Sequence, residues 1–142
     1  MNKARGTLLL FSFCALWLSN CRKPSDEHTI PQVAVNIDID VNLAQYNNLN
    51  SIGGWIYLDG GYNGILAYRA TTDVIAAYDR QAPYKVASHC QVFADPGGVT
   101  CTDTCSGSQW LLYDGQLVKG PSPYPLKQYV TTFDGIRLSI SN

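Results

Sequence analysis

Histidine is nearly absent: the 142 residues contain two, His28 and His89. Only His89 lies beyond the first 30 residues, so no Ser/His/Asp hydrolytic arrangement can be assembled and Ser106 has no base to activate it. Charge is also scarce, at 15% Asp, Glu, Lys and Arg. No cluster of Lys and Arg occurs. With Lys3 and Arg5 set aside, 8 of the 10 Lys+Arg face 11 Asp+Glu, a net charge near −3 over residues 21–142. That sign gives no attraction for polyanions, which excludes nucleic acid as a partner. No internal repeat, low-complexity block or amphipathic helical pattern appears, and no glycine-rich turn opens a helix that would cradle phosphate.

One apolar run exists, and it is short. Thr7–Leu18 follows Lys3 and Arg5 and ends in Leu18-Ser19-Asn20-Cys21. Its length suits a signal peptide rather than a transmembrane helix. The ending is similar to a bacterial lipobox, so residues 1–20 are expected to be a lipoprotein leader and Cys21 the lipidated first residue. Asn20 stands where Gly or Ala is usual, and ordinary secretion is the competing outcome. Residues 21–30, RKPSDEHT included, read as a solvated tether with His28 among its polar residues. This arrangement implies a membrane partner through a lipid anchor, placement outside the cytoplasm, and an oxidising setting for Cys90, Cys101 and Cys105.

Residues 31–142 read as one domain. Val33, Val35, Ile37 and Ile39 alternate with Ala34, Asn36, Asp38 and Asp40, a strand with one wet face; Asp38, Asp40 and Asp59 are expected to be solvated rather than to bind calcium. Short apolar, aromatic-rich runs follow: Trp55–Leu58, Gly64–Arg69, Val74–Tyr78, Gln91–Phe93, Val99-Thr100, Trp110–Tyr113, Gln116–Val118, Lys127–Phe133 and Ile136–Ile140. Leu43–Ser51 reads as a loop, and Asp114-Gly115 as a two-residue mirror-image hairpin turn. Strands this short with turn signals every 8 to 12 residues predict an all-β antiparallel sandwich or barrel of about ten strands, with Trp55, Tyr57, Tyr68, Tyr78, Phe93, Trp110 and Phe133 as core or half-buried strand residues.

Within Cys101–Tyr129 a Cys-Ser-Gly-Ser turn leads to an aromatic, an Asp-Gly turn, Gly120-Pro121 and Pro125-Leu126. This layout resembles the cluster-binding half of Rieske iron–sulfur proteins, whose second loop reads C-x-C-H-G-S and is followed by a G-P loop and P-L-x-x-Y. The resemblance spans about the last 90 residues and implies a Rieske-like β domain. It also implies where cluster ligands would fall. The first-loop Cys and His positions hold Ala82 and Tyr84; the second-loop pair hold Asp103 and Ser106. A Rieske centre takes two thiolates on one iron and two imidazoles on the other. None of the four supplies either, so no [2Fe–2S] cofactor is expected, and Tyr84 is expected to pack where a ligand ring would sit. In many members a further cysteine in each loop forms a disulfide. Cys105 falls on one such position and Cys90 is the natural partner, with Cys90–Cys101 as the competing pairing. His89, Cys90, Cys101 and Cys105 make a zinc set on paper, but adjacent His89 and Cys90 would point apart, and no metal is expected.

Three roles stay open: a lipid-anchored envelope protein with a cluster-free Rieske-like domain and a structural or binding part; a Rieske electron carrier; or an unrelated β-domain binding lipoprotein. An enzyme is not expected, and neither the envelope partner nor a ligand is named by the sequence.

Overall fold

The structure, a computed structural model, describes residues 27–142. The expected leader, Cys21 and the first part of the tether lie outside the described residues. Ten strands fall into three antiparallel sheets, in the order β1 (Asn36–Asp40), β10 (Arg137–Ser141), β9 (Val130–Phe133); β2 (Trp55–Leu58), β3 (Ile65–Arg69), β4 (Ile75–Asp79); and β5 (Val92–Ala94), β6 (Thr100–Asp103), β7 (Gln109–Leu111), β8 (Leu117–Lys119). The all-β expectation holds.

Why β3 and β4 read as unbroken apolar runs, rather than alternating ones, is answered by their place. Theirs is the middle sheet, buried on both faces, which removes the need for polar residues on either side. Ile65, Ala67, Ile75 and Ala77 face the β1–β10–β9 sheet and join Ile39, Val41, Leu138 and Ile140 in one core. Leu66, Tyr68, Ala76 and Tyr78 face the β5–β8 sheet and meet Val92, Cys101, Trp110 and Leu112 in a second. Trp110 and Tyr78 are fully enclosed. Burying each such side chain stabilises the fold by about 2–3 kcal/mol.

Some local expectations are corrected. Leu43–Ser51 is not an open loop: Ala44–Asn50 forms a 3-10 helix whose Leu49 is fully buried in the first core. Leu49 is a lone apolar residue among asparagines, too sparse to show periodicity. The hairpin after β7 is wider than two residues, since Leu111 N–H donates to Gln116 O, and Gly115 alone has positive φ (72°). Leu112 turns down into the core there, and a Cβ on Gly115 would stand 2.7 Å from the Tyr78 ring. Tyr57 and Phe93, expected as core or half-buried strand residues, lie at the surface, 36% and 42% exposed.

Candidate functional site

Three loops converge at one end of the molecule. β4 delivers the first (residues 82–90), β6 the second (103–108) and β8 the third (120–124). Ser122 fastens them together. Its N–H donates to Ser108 Oγ (2.9 Å) and its hydroxyl to Pro83 O (3.2 Å). Trp110 Nε1–H, rising from the core, donates to Tyr124 O (2.9 Å).

Cys90 and Cys105 are joined by a disulfide, with Cα atoms 6.2 Å apart, which ties the first loop to the second. Cys101 is free and buried in β6. The four positions singled out by the resemblance have different fates. Ala82 is fully buried and offers a methyl group to the core; its N–H donates to Cys90 O. Asp103 is fully buried at the end of β6, where Oδ1 accepts from Cys105 N–H (2.9 Å) and Oδ2 from the Ser106 hydroxyl (2.5 Å). Ser106 Oγ lies 2.9 Å from Ser108 Oγ and continues the chain. Tyr84 lines the space between the loops, half-buried with its ring stacked on His28 (5.6 Å between centroids, 25° between planes).

These residues do not fit a [2Fe–2S] cluster. The two nearest sulfurs are bonded to each other, so neither is a thiolate. Neither imidazole is gathered at the loops' centre: His89 stacks on Tyr62 and His28 on Tyr84. The Asp103 oxygens already accept hydrogen bonds. What remains between the loops is a cavity of about 160 Å³, lined by Tyr84, Lys85, Ser88, Asp103, Ser106 and the bridge. The zinc set is not assembled either. Among the described residues the one candidate metal grouping is Cys90, Asp103 and Cys105, with ligand atoms within 4.8 Å of one another, and it contains the disulfide.

The tether expectation for residues 27–30 is corrected as well. Glu27 O accepts from Val86 N–H (2.9 Å) and Ile30 is buried. His28 lies half-buried between Tyr84 and Tyr124, and Lys85 N–H points at its Nδ1 (3.4 Å).

Sequence reading missed two side chains beneath the loops. Asp79, fully buried at the end of β4, accepts from Tyr129 Oη–H (2.6 Å), Tyr62 N–H (2.7 Å), Gln81 N–H (2.8 Å) and Asn63 N–H (3.3 Å). The next residue, Arg80, holds its guanidinium 3.8 Å from the Tyr57 ring centroid and 5.0 Å from that of Phe93, beside an open cleft of about 720 Å³. Its Nε–H donates to Val92 O (3.3 Å), and burial lowers its pKa from the usual value. This stack accounts for the exposed positions of Tyr57 and Phe93. Only a Phe and a Tyr flanking an Arg at unknown distance were visible in the chain, which is no signal.

Burial pushes the Cys101 thiol up to about 12 from 9.0, with Asp95 adding to the rise, and lifts Tyr129 and Tyr78 above the ordinary tyrosine range. All three are stabilised protonated. Their contribution is whole below the unfolded pKa values, near 9 for the thiol and 10 for the phenols, and is lost as pH rises through the folded ones. Denaturation midpoints between pH 7 and 11 should therefore fall from about pH 9 upward. Within residues 27–142, one thiol should resist alkylation in the native protein and react after denaturation without reductant. Rapid native labelling would contradict this burial.

No protein-family model and no curated protein matches the sequence. Solved structures do. The plasma membrane Rieske protein PetC3 of the cyanobacterium Synechocystis PCC 6803 superposes with a TM-score of 0.57 at 16% identity, over 75% of this chain and 99% of that one. The ferredoxin of carbazole 1,9a-dioxygenase from Nocardioides aromaticivorans IC177 gives 0.49 at 12% identity, over 77% and 97%, and E. coli NirD 0.46 at 15%, over 78% and 99%. At such identities the first likeness establishes a fold and nothing about chemistry; the other two add no argument.

Proposed function

We propose that this chain is a lipid-anchored, extracytoplasmic protein whose Rieske-like domain has lost its cluster ligands and serves a binding or structural role in the envelope. One observation carries it. The place between the loops is held by the Asp103–Ser106–Ser108 hydrogen bonds and the Cys90–Cys105 bridge rather than by free donors. An electron carrier of this fold needs two thiolates and two imidazoles on two irons, and these residues supply neither. The anchor is argued from the charged start, short apolar run and Leu-Ser-Asn-Cys ending. Among the described residues no helix is long and apolar enough to cross a membrane.

A single preparation tests both halves. The full chain, made in a strain competent for cluster assembly, is extracted anaerobically from membranes and analysed for mass, iron, sulfide and visible absorption. We expect a colourless, iron-free, folded protein bearing lipid mass at residue 21, with that mass absent from Cys21→Ser. Stoichiometric iron and sulfide with a rhombic reduced EPR signal would overturn the cluster-free reading; lipid persisting in Cys21→Ser would overturn the anchor.

A further inference from the structure

The lysines of the described residues are Lys85, Lys119 and Lys127, and all three stand on or beside the loops at the convergent end; Arg80 lies near them, while Arg69 and Arg137 adjoin the β3–β4 and β9–β10 turns. Lys85 is in the first loop, Lys119 precedes the third, and Lys127 sits in a shallow groove with His28, Pro83 and Tyr124. Asp103, the acidic residue within these loops, is buried, so its carboxylate presents nothing to an approaching surface. Glu27 and Asp59 are the exposed carboxylates near this end; three others stand at the opposite one. Asp73 lies in the β3–β4 turn, Asp114 in the β7–β8 turn and Asp134 in the β9–β10 turn. β4 and β8 run from the first two of these turns toward the loops, and β9 runs away from Lys127 to the third. The lysine end also carries Tyr124, half exposed, and Tyr84. Tyrosine beside lysine is the chemistry of a membrane interface, where the ring enters the headgroup layer and the ammonium meets lipid phosphate.

Chain length adds a second constraint. Glu27 is fastened to this same end through Val86. Glu27 lies six positions after Cys21, and a fully extended chain spans about 20 Å over that distance. A lipid on Cys21 therefore holds the convergent loops within about 20 Å of the bilayer. We propose that the loop end, through Lys85, Lys119, Tyr84 and Tyr124, rests on an anionic phospholipid surface and turns the Asp73, Asp114 and Asp134 end toward the aqueous side. This inference rests on the lipid-anchor reading, and the test separates the two.

The full lipidated chain is incorporated into vesicles of phosphatidylglycerol or of phosphatidylcholine, and into detergent micelles. Lysine acylation and carboxyl amidation are then read by peptide mass spectrometry. Each lysine near an anionic surface should be worth roughly five-fold in local association. Lys85 and Lys119 should therefore be acylated several-fold more slowly on phosphatidylglycerol than on the other two, while Asp73, Asp114 and Asp134 react alike on all three. Raising salt from 0.1 to 1 M should remove the protection. In Lys85→Gln/Lys119→Gln, protection of the remaining Lys127 on phosphatidylglycerol should shrink.

Incorporation with Lys85 and Lys119 as reactive as in detergent overturns the proposal and leaves the anchor intact. Protection in native membranes but not in phosphatidylglycerol vesicles overturns it in favour of a protein partner. Failure of the wild-type chain to incorporate defeats the anchor reading and the proposal with it.

Discussion

Asp79→Ala is expected to cost about 4 kcal/mol or more, enough to leave the domain largely unfolded if its stability is in the ordinary range of 5–15 kcal/mol. The carboxylate is fully buried and accepts from Tyr129, Tyr62, Gln81 and Asn63. Hydrogen bonds to a charged acceptor are worth about 1.5–3 kcal/mol each, and the larger penalty comes from the donors left behind. Truncation strands a phenol and two well-aligned backbone N–H groups around a position that is fully buried. Asp79→Asn keeps the shape but turns an NH₂ toward at least one of those donors, and should cost about 2–3 kcal/mol. Tyr129→Phe removes a single donor and should be the mildest of the three. Urea denaturation of the set would show this ordering. A loss below 1 kcal/mol for Asp79→Ala would mean the site relaxes to let water in, and the bonding pattern would not be the support it looks to be.

Cys90→Ser/Cys105→Ser should be the second large effect, destabilising by about 3 kcal/mol on the chain-entropy model, because the bridge closes a separation of 15 residues. For a domain of this size that corresponds to a thermal midpoint lower by on the order of 10 °C. Both loops also lose their only covalent tie, so proteolysis between residues 84 and 89 should accelerate more than at the β7–β8 turn. Cys101→Ser should not reproduce this. It places a hydroxyl in a fully buried apolar position, costs stability there, and leaves loop proteolysis unchanged. Equal loop cleavage in the bridged and unbridged proteins would show that Ser122 and the Asp103–Ser106 bonds suffice to hold the loops.

How far the chain could be read in advance depended on whether a feature is written locally. Nine apolar runs and the alternating stretch ending at Asp40 correspond to the ten strands, because strand formation answers to neighbours two residues away. That Ala82, Tyr84, Asp103 and Ser106 supply no thiolate or imidazole was legible, because side-chain chemistry is read directly from the sequence. Asp79 was not visible: an aspartate at a strand end looks the same whether it meets water or four donors drawn from residues 62–63, 81 and 129. Arg80 hid for the same reason, since Tyr57 and Phe93 arrive from two other strands. His28 was misread because the tether's polarity is local while the rings of Tyr84 and Tyr124 are not. In each failure the deciding partner is distant along the chain.

The middle sheet also limits how this protein can change length. Along β3 and β4 the residues facing one core are small at Ala67 and Ala77, while those facing the other are large at Leu66, Tyr68 and Tyr78, and the strands pair Ala67 with Ala77 and Leu66 with Tyr78. Inserting or deleting one residue between them would slide a strand by one position and send every side chain on it to the opposite face. Tyr78 would then be driven into the core that Ala77 lines, and the opposite core would receive a methyl where it needs a ring. The Thr71–Asp73 turn, exposed and polar as it is, is thus a poor site for insertions or deletions.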